Sequence, residues 1–253
     1  MATCYICQNT KWTTAYRIKD WDIERCDVCG FARINPLPAR ETRPEFYSQE
    51  KVVSRNVKQL SLSQRFSRAM KGAFKKITGQ DKSGIFYSKL SRYLPAGTEV
   101  LDIGCGDGSF LNLAKRRFNC TGIEISEYLG SLARRQAGIR IIIGDFFTAD
   151  LAPGKFDGIT LISLLEHLDH PEAAVKKCFD LLKPGGILLI KTVNYGCVNR
   201  SIRKENWTGF RVPDHVVYFN PSNLKRLLER TGFSRIKISA WPFSDNMYCD
   251  AWK

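Results

Sequence analysis

Val100-Leu101-Asp102-Ile103-Gly104-Cys105-Gly106-Asp107-Gly108-Ser109-Phe110 decides the fold of this chain. An apolar run holding one acid leads into two glycines one residue apart, and Phe110, Leu111, Leu113 and Ala114 then continue at helical spacing. The pattern predicts a buried strand, a tight turn and a helix N-terminus. Glycine at Gly104 and Gly106 lets a ligand approach the backbone and permits positive φ, so the peptide N–H groups of the turn can reach that ligand.

A Gly-x-Gly pair is weak by itself, and the dinucleotide fingerprint calls for Gly or Ala where Ser109 stands. Context adds to it. Asp102 closes the strand two residues before Gly104, and Glu124 follows the next apolar run, Cys120 to Ile123, where an acid can bind ribose hydroxyls. A third run, Ile139 to Ile143, ends in Gly144-Asp145-Phe146. Downstream, strand-like and helix-like stretches keep alternating: Gly158 to Ser163, Pro171 to Leu182, Gly186 to Thr192, Ser222 to Arg230, then two final strands, Ile236 to Trp241 and Asn246 to Trp252. Leu181-Leu182-Lys183-Pro184-Gly185-Gly186 reads as a helix end and a turn before the strand Ile187 to Ile190. Such alternation predicts a parallel sheet with helices on both faces and ligands at the carboxyl ends of its strands.

The motifs from Val100 to Phe146 resemble the class I S-adenosylmethionine-dependent methyltransferases, and the resemblance runs from about Leu94 to the C-terminus. It implies an α/β fold, a doubly wound Rossmann-like seven-stranded methyltransferase sheet. Its cofactor site would draw on Asp102, Gly104, Cys105, Gly106, Glu124, Ile125, Asp145, Phe146 and Ser163, with Glu124 as the ribose acid and Asp145 and Phe146 against the adenine.

Residues 1–38 carry Cys4-x2-Cys7 and Cys26-x2-Cys29, eighteen residues apart, which matches a four-cysteine zinc ribbon. Each pair turns two thiolates toward one ion, and Asn35-Pro36-Leu37-Pro38 ends the module. Four thiolates close the coordination sphere, so the expected Zn2+ is structural. Residues 39–94 read as a basic helical linker or lid, and 95–253 as the methyltransferase domain. Within the linker, Leu62, Phe66, Ala69, Met70, Ala73, Phe74 and Ile77 share one helical face, with Arg65, Arg68, Lys71 and Lys75 opposite. That face is read either as packed on the core or as a peripheral membrane or polyanion contact.

The chain has 253 residues, 43% of them hydrophobic, enough for a sizeable core. Its net charge of +14 favours anionic partners, and Lys51 to Tyr93, with eleven Lys and Arg against Asp81 alone, supplies +10 of it. The nine cysteines, four of them in two Cys-x-x-Cys pairs, and the lack of any export signal or long apolar stretch lead us to expect a cytoplasmic protein with no transmembrane segment.

Methyl transfer to a hydroxyl or carbon acid calls for a base. The three histidines are His167, His170 and His215. His170 precedes Pro171 and reads as a helix-start residue; His167 lies in Leu165-Glu166-His167, just beyond the fourth strand of the core, as in many of the resembled enzymes. Asp214-His215-Val216-Val217-Tyr218-Phe219 resembles the acid-His-x-x-Tyr-Phe stretch of sugar C-methyltransferases that also carry an N-terminal zinc module, with Asp in place of the usual Glu. That resemblance implies His215 as base, Asp214 as its helper and His167 as the fallback. A similar stretch in sugar and quinone-pathway O-methyltransferases leaves oxygen and carbon acceptors both open, as does a purely structural role for His215. The long connection Asn194 to Arg211, with Trp207 and Phe210, is expected to shape the acceptor pocket, or else to cover the core with Trp207 simply buried. The expected partner is a small-molecule or glycan acceptor. The alternative is RNA, favoured by zinc and charge; against it, Ser163-Leu164-Leu165-Glu166 stands where many base-amine methyltransferases carry Asn/Asp-Pro-Pro-aromatic.

Overall fold

A computed structural model describes residues 3–38 and 81–253. In chain order the elements are β1 (Trp12–Ile18), β2 (Trp21–Cys26), β3 (Ala32–Asn35), α1 (Lys82–Tyr93), β4 (Glu99–Ile103), α2 (Ser109–Ala114), β5 (Asn119–Glu124), α3 (Glu127–Ala137) and β6 (Arg140–Ile143). There follow β7 (Phe156–Ile162), α4 (Pro171–Leu181), β8 (Leu182–Val193), α5 (Val198–Arg203), β9 (Val217–Tyr218), α6 (Pro221–Thr231), β10 (Arg235–Ser239) and β11 (Asn246–Trp252). The large sheet has seven strands in the order β10-β11-β8-β7-β4-β5-β6, the α/β methyltransferase-type sheet that the resemblance implies; it is mixed rather than wholly parallel as the alternation predicts, because β11 runs antiparallel to both β8 and β10. By contacts the chain divides into two compact units, Ala39–Asp150 and Met1–Pro38 with Leu151–Lys253.

In the Ala39–Asp150 unit, β4, β5 and β6 run parallel, with Asp102 beside Gly122 and Glu124 beside Ile143. Val100, Leu101 and Ile103 are fully buried, as a strand covered on both faces requires. Asp81 starts α1 by accepting from the Gly84 N–H at 3.1 Å, and Phe86 of that helix packs edge-on against Phe110 of α2. The amphipathic stretch Leu62 to Ile77, and with it most of the predicted linker, lies outside the described residues.

In the other unit, β8 pairs parallel with β7 and antiparallel with β11, which pairs with β10. The Pro184-Gly185-Gly186 turn does not separate helix from strand as the sequence suggests. Strand β8 already begins at Leu182, opposite Phe156, and the turn becomes a bulge that shifts the register so that Ile187 meets Gly158. Helix α6 keeps its local signals: Asn220 and Asn223 form a reciprocal capping box, Pro221 opens the first turn, and Gly232 closes the helix at φ 115°.

The small sheet is antiparallel in the order β1-β2-β3-β9. Its fourth strand comes from the far end of the sequence: Ala32 pairs with Tyr218 and Arg33 with Val217, and the Ile34 N–H reaches the Val216 carbonyl at 3.0 Å. Phe31 packs on Phe219 at 5.0 Å between ring centroids. Among the described residues, no helix is long and apolar enough to cross a membrane.

Candidate active site and metal centre

The glycine turn after β4 has the backbone its residues demand, with φ of 71° at Gly104, 57° at Gly106 and 78° at Gly108. Its amides are spent inside the protein more fully than the sequence suggests. Gly104 and Cys105 N–H both donate to the Ile123 carbonyl, at 2.8 and 3.0 Å, and Gly108 N–H donates to the Cys105 carbonyl. Gly106 N–H donates to Glu124 Oε2 at 2.8 Å, while Ser126 N–H donates to Glu124 Oε1 at 2.9 Å. The glycines therefore provide close approach rather than a row of open donors. A Cβ at Gly106 would meet nothing within 4 Å among the described residues, so these leave one face of the turn open to a ligand.

Glu124 is 5% exposed. Burial raises its pKa, and the amides of Ser126, Gly106 and Ile125 work against that rise. The bonds from Gly106 to Oε2 and from Ser126 to Oε1 hold the carboxylate in place and leave it lone pairs for hydroxyl donors. Ile125 is 48% exposed, an apolar side chain held in the open beside that carboxylate. Asp145 Oδ1 accepts from Phe147 N–H at 2.8 Å, which fixes the turn after β6, and Phe146 is buried next to Phe147. Asp102 and Cys105 are buried under the turn, and burial pushes the Cys105 thiol well above its usual range.

The other unit holds the remaining site residues. Ser163 follows β7 at φ 58°, a left-handed backbone that costs a non-glycine residue about 1 kcal/mol or more. Its hydroxyl accepts from Lys191 Nζ at 2.6 Å. Glu166 and His167 sit in a single 3-10 turn, Leu165–His167. Glu166 is 1% exposed; its Oε2 accepts from the Thr192 hydroxyl at 2.8 Å, and its carbonyl accepts from Val216 N–H. His167 and His215 meet edge to face, 4.8 Å between centroids, and ring nitrogens of both lie within 4.8 Å of a Glu166 oxygen.

Asp214 does not serve the histidine next to it in sequence. Its Oδ1 lies 3.3 Å from His167 Nδ1 and its Oδ2 accepts from Arg211 Nη2 at 2.9 Å. The amides of Asp214 and His215 both bond the Arg211 carbonyl, and this tight turn sends the two side chains to different partners. His167 Nδ1 also reaches the Asp214 carbonyl at 2.8 Å and His215 Nδ1 the Gly209 carbonyl at 2.9 Å. A carbonyl only accepts, so both rings carry the proton on Nδ1 and the lone pair on Nε2. Burial works to lower the His167 pKa, but Asp214 and Glu166 outweigh it and the net shift is upward. Burial, with the neighbouring His167, brings His215 down to about 4. His170 opens α4 as its N-cap and makes no cap bond.

Trp207 is a core residue. It is 1% exposed, packs against Tyr195, Phe210 and Tyr218, and donates from Nε1 to Asp245 Oδ1 at 2.8 Å. Gly209 is obligatory beside it, because a Cβ there would lie 2.3 Å from the indole. Sequence reading misses Glu166 and Asp245 as organising acids. The first is betrayed only by its place in Glu-His; for the second we find no local signal.

Cys4, Cys7, Cys26 and Cys29 converge with all four sulfurs within 4.8 Å of one another. The Cys4–Cys29 and Cys7–Cys26 separations are 3.6 and 3.5 Å, close to the ~3.8 Å edge of a tetrahedron built on Zn–S bonds of about 2.3 Å. The hydrogen bond with Cys29 brings the Cys4 thiol down to about 5 and pushes the Cys29 thiol up, so the two share one proton between them. Four sulfur donors in this geometry suit zinc.

Among curated relatives, the ubiquinone biosynthesis O-methyltransferase of Pseudomonas aeruginosa (strain UCBPP-PA14) is 36% identical over 106 residues, 39% of this chain and 46% of the relative. The enzyme of that name from Idiomarina loihiensis is 30% identical over 162 residues, 58% of this chain and 66% of the relative. The chain thus spans between 46% and 66% of the length of these relatives. Neither name carries a sugar, a glycan or a nucleic acid, so the sugar-methyltransferase resemblance finds no support in them. The crystal structure of a SAM dependent methyltransferase from Archaeoglobus fulgidus superimposes with a TM-score of 0.55 at 21% identity, covering 72% of this chain and 99% of that one, a likeness of fold. A family described as "Methyltransferase domain" matches residues 78–238, and the chain belongs to that family.

Proposed function

We propose that this chain is an S-adenosylmethionine-dependent methyltransferase that methylates a hydroxyl group of a small molecule. The observation that carries the reading is Glu124, whose carboxylate ties the Gly106 amide to the Ser126 amide beside the open face of the glycine turn. Glu124 takes the ribose hydroxyls, Asp102 and Cys105 support the turn, Ile125 and Phe146 give the adenine apolar surface, Asp145 faces its polar edge, and Ser163 closes the strand end after β7. When bound, the cofactor supplies an electrophilic methyl group on a sulfonium.

His167 is the base in this reading. Asp214 orients its ring, stabilises the imidazolium and leaves Nε2 to accept the proton of the acceptor hydroxyl. His215, kept neutral by burial, packs against it and is the second candidate. Oxygen is preferred over carbon because both relatives are named O-methyltransferases. A sugar or glycan hydroxyl rests on the resemblance of Asp214 to Phe219 alone. Cys4, Cys7, Cys26 and Cys29 hold one structural Zn2+.

The test is transfer of a labelled methyl group from S-adenosylmethionine to a panel of phenols, sugars and nucleotide sugars. Label is expected on an oxygen of one class, with His167→Ala lowering turnover on the order of a hundredfold or more while cofactor affinity holds. Label found in RNA, or full turnover in His167→Ala, overturns the acceptor class or the base respectively.

A further inference from the structure

Seven large apolar side chains stand exposed among the described residues, and four of them, Val198, Ile202, Trp241 and Phe243, lie on two adjoining segments. Ile202, Trp241 and Phe243 are 70%, 71% and 59% exposed. The segments are α5 and the 240–245 connection between β10 and β11, both within one compact unit.

They are joined firmly. Val198 N–H donates to the Pro242 carbonyl at 2.7 Å, and Asn199 Nδ2 donates to the Phe243 carbonyl at 2.7 Å and to Asp245 Oδ1 at 3.0 Å. Asp245 also takes the Trp207 indole and, at 2.7 Å, the Thr208 hydroxyl. The platform is thus anchored to the aromatic core, and its apolar side chains are held out rather than left over from a loose loop. Arg203 and Lys204 stand exposed on the same segment as Ile202; the one exposed acid on α5 and the turn after it is Glu205, and Asp245 is occupied inward.

We propose that this platform docks on an anionic phospholipid bilayer. Trp and Phe beside an exposed aliphatic residue suit the headgroup–acyl boundary, and the flanking cations suit acidic headgroups. A purely aqueous surface gives no reason to concentrate four of the seven exposed apolar groups on one anchored platform. Asn246 pairs with Val193, which puts the 240–245 connection at the carboxyl end of β8, the edge where open α/β sheets take ligands. Docking there brings the acceptor edge to the membrane; this last step rests on the proposed function, the docking itself does not.

The experiment is co-sedimentation of the full chain with phosphatidylcholine vesicles, with and without phosphatidylglycerol. Binding is expected to favour the anionic vesicles by about tenfold or more and to weaken with salt. The double change Trp241→Ala with Phe243→Ala should cut it about tenfold, and Arg203→Glu with Lys204→Glu should lower the anionic preference about threefold or more, the basic 51–93 segment being unchanged in that variant. S-adenosylhomocysteine affinity, measured on the same samples, should be unchanged in both variants, which verifies the fold and keeps failure here distinct from failure of the methyltransferase reading. Equal vesicle binding by wild type and the Trp241/Phe243 variant overturns the proposal in favour of another segment. So do the absence of vesicle binding and a solution dimer that the same variant converts to monomer.

Discussion

Asp214 bonds His167 instead of its neighbour His215, and this choice decides which imidazole is the stronger base. The groups facing His167 are Asp214, Glu166 and His215, with Arg211 behind Asp214. Burial opposes the charged form, the two acids outweigh it, and His167 protonates above the ordinary imidazole value near 6.5. As pH falls, the base is therefore lost first at His167, and turnover should decline through a pKa above 6.5 rather than near the value of about 4 held by His215. Asp214→Asn should move that limb to lower pH; a limb near 4 in the wild type would instead assign the base to His215. Gly209→Ala forces a Cβ into the Trp207 ring and should cost about 1–3 kcal/mol, read as a lowered thermal midpoint. An unchanged midpoint contradicts that packing. At this scale the glycine turn is legible in sequence because positive φ leaves a mark at each position it needs. The Asp214–His167 pair is not, because 47 residues separate its members and the direction of each side chain is set by the turn at Arg211.

Among the elements, α6 is nearly fully legible: its Asn220 cap, Pro221 and Gly232 are local signals. The strand β9 is illegible, since two residues, Val217 and Tyr218, carry no periodicity and owe their conformation to β3. That pairing couples the cysteine cluster to the segment bearing His215. Ile34, Ala32 and Phe31 hold Val216, Tyr218 and Phe219, and Tyr16 of β1 packs on Phe210 at 5.3 Å. Removing zinc by chelation, or by Cys26→Ser, should therefore loosen more than the ribbon. Hydrogen exchange at Val217 and Tyr218 should accelerate and turnover should fall, with S-adenosylhomocysteine affinity held within about twofold because the glycine turn belongs to the other compact unit. Retained protection at Val217 after metal loss contradicts the coupling.

For the whole molecule, sequence order predicts the parallel part of the sheet, because each β–α repeat carries its own apolar run and turn, while the antiparallel pairing of β11 with β8 and β10 follows from the resemblance and not from the alternation. Acceptor chemistry is not written in the same way. It depends on side chains from Glu166, His167 and the Gly209–His215 turn converging, which no local pattern encodes. Charge tells less than it promises, since +10 of the +14 lies between Lys51 and Tyr93, largely outside the described residues. The claim on which the functional account depends is that the glycine turn and Glu124 hold the cofactor. Calorimetric titration with S-adenosylhomocysteine tests it directly, and one site per chain is expected. Glu124→Ala should bind about tenfold more weakly or worse, the equivalent of losing charge-assisted bonds of roughly 1.5–3 kcal/mol. Equal affinity in the two proteins, or no binding by the wild type, contradicts the account.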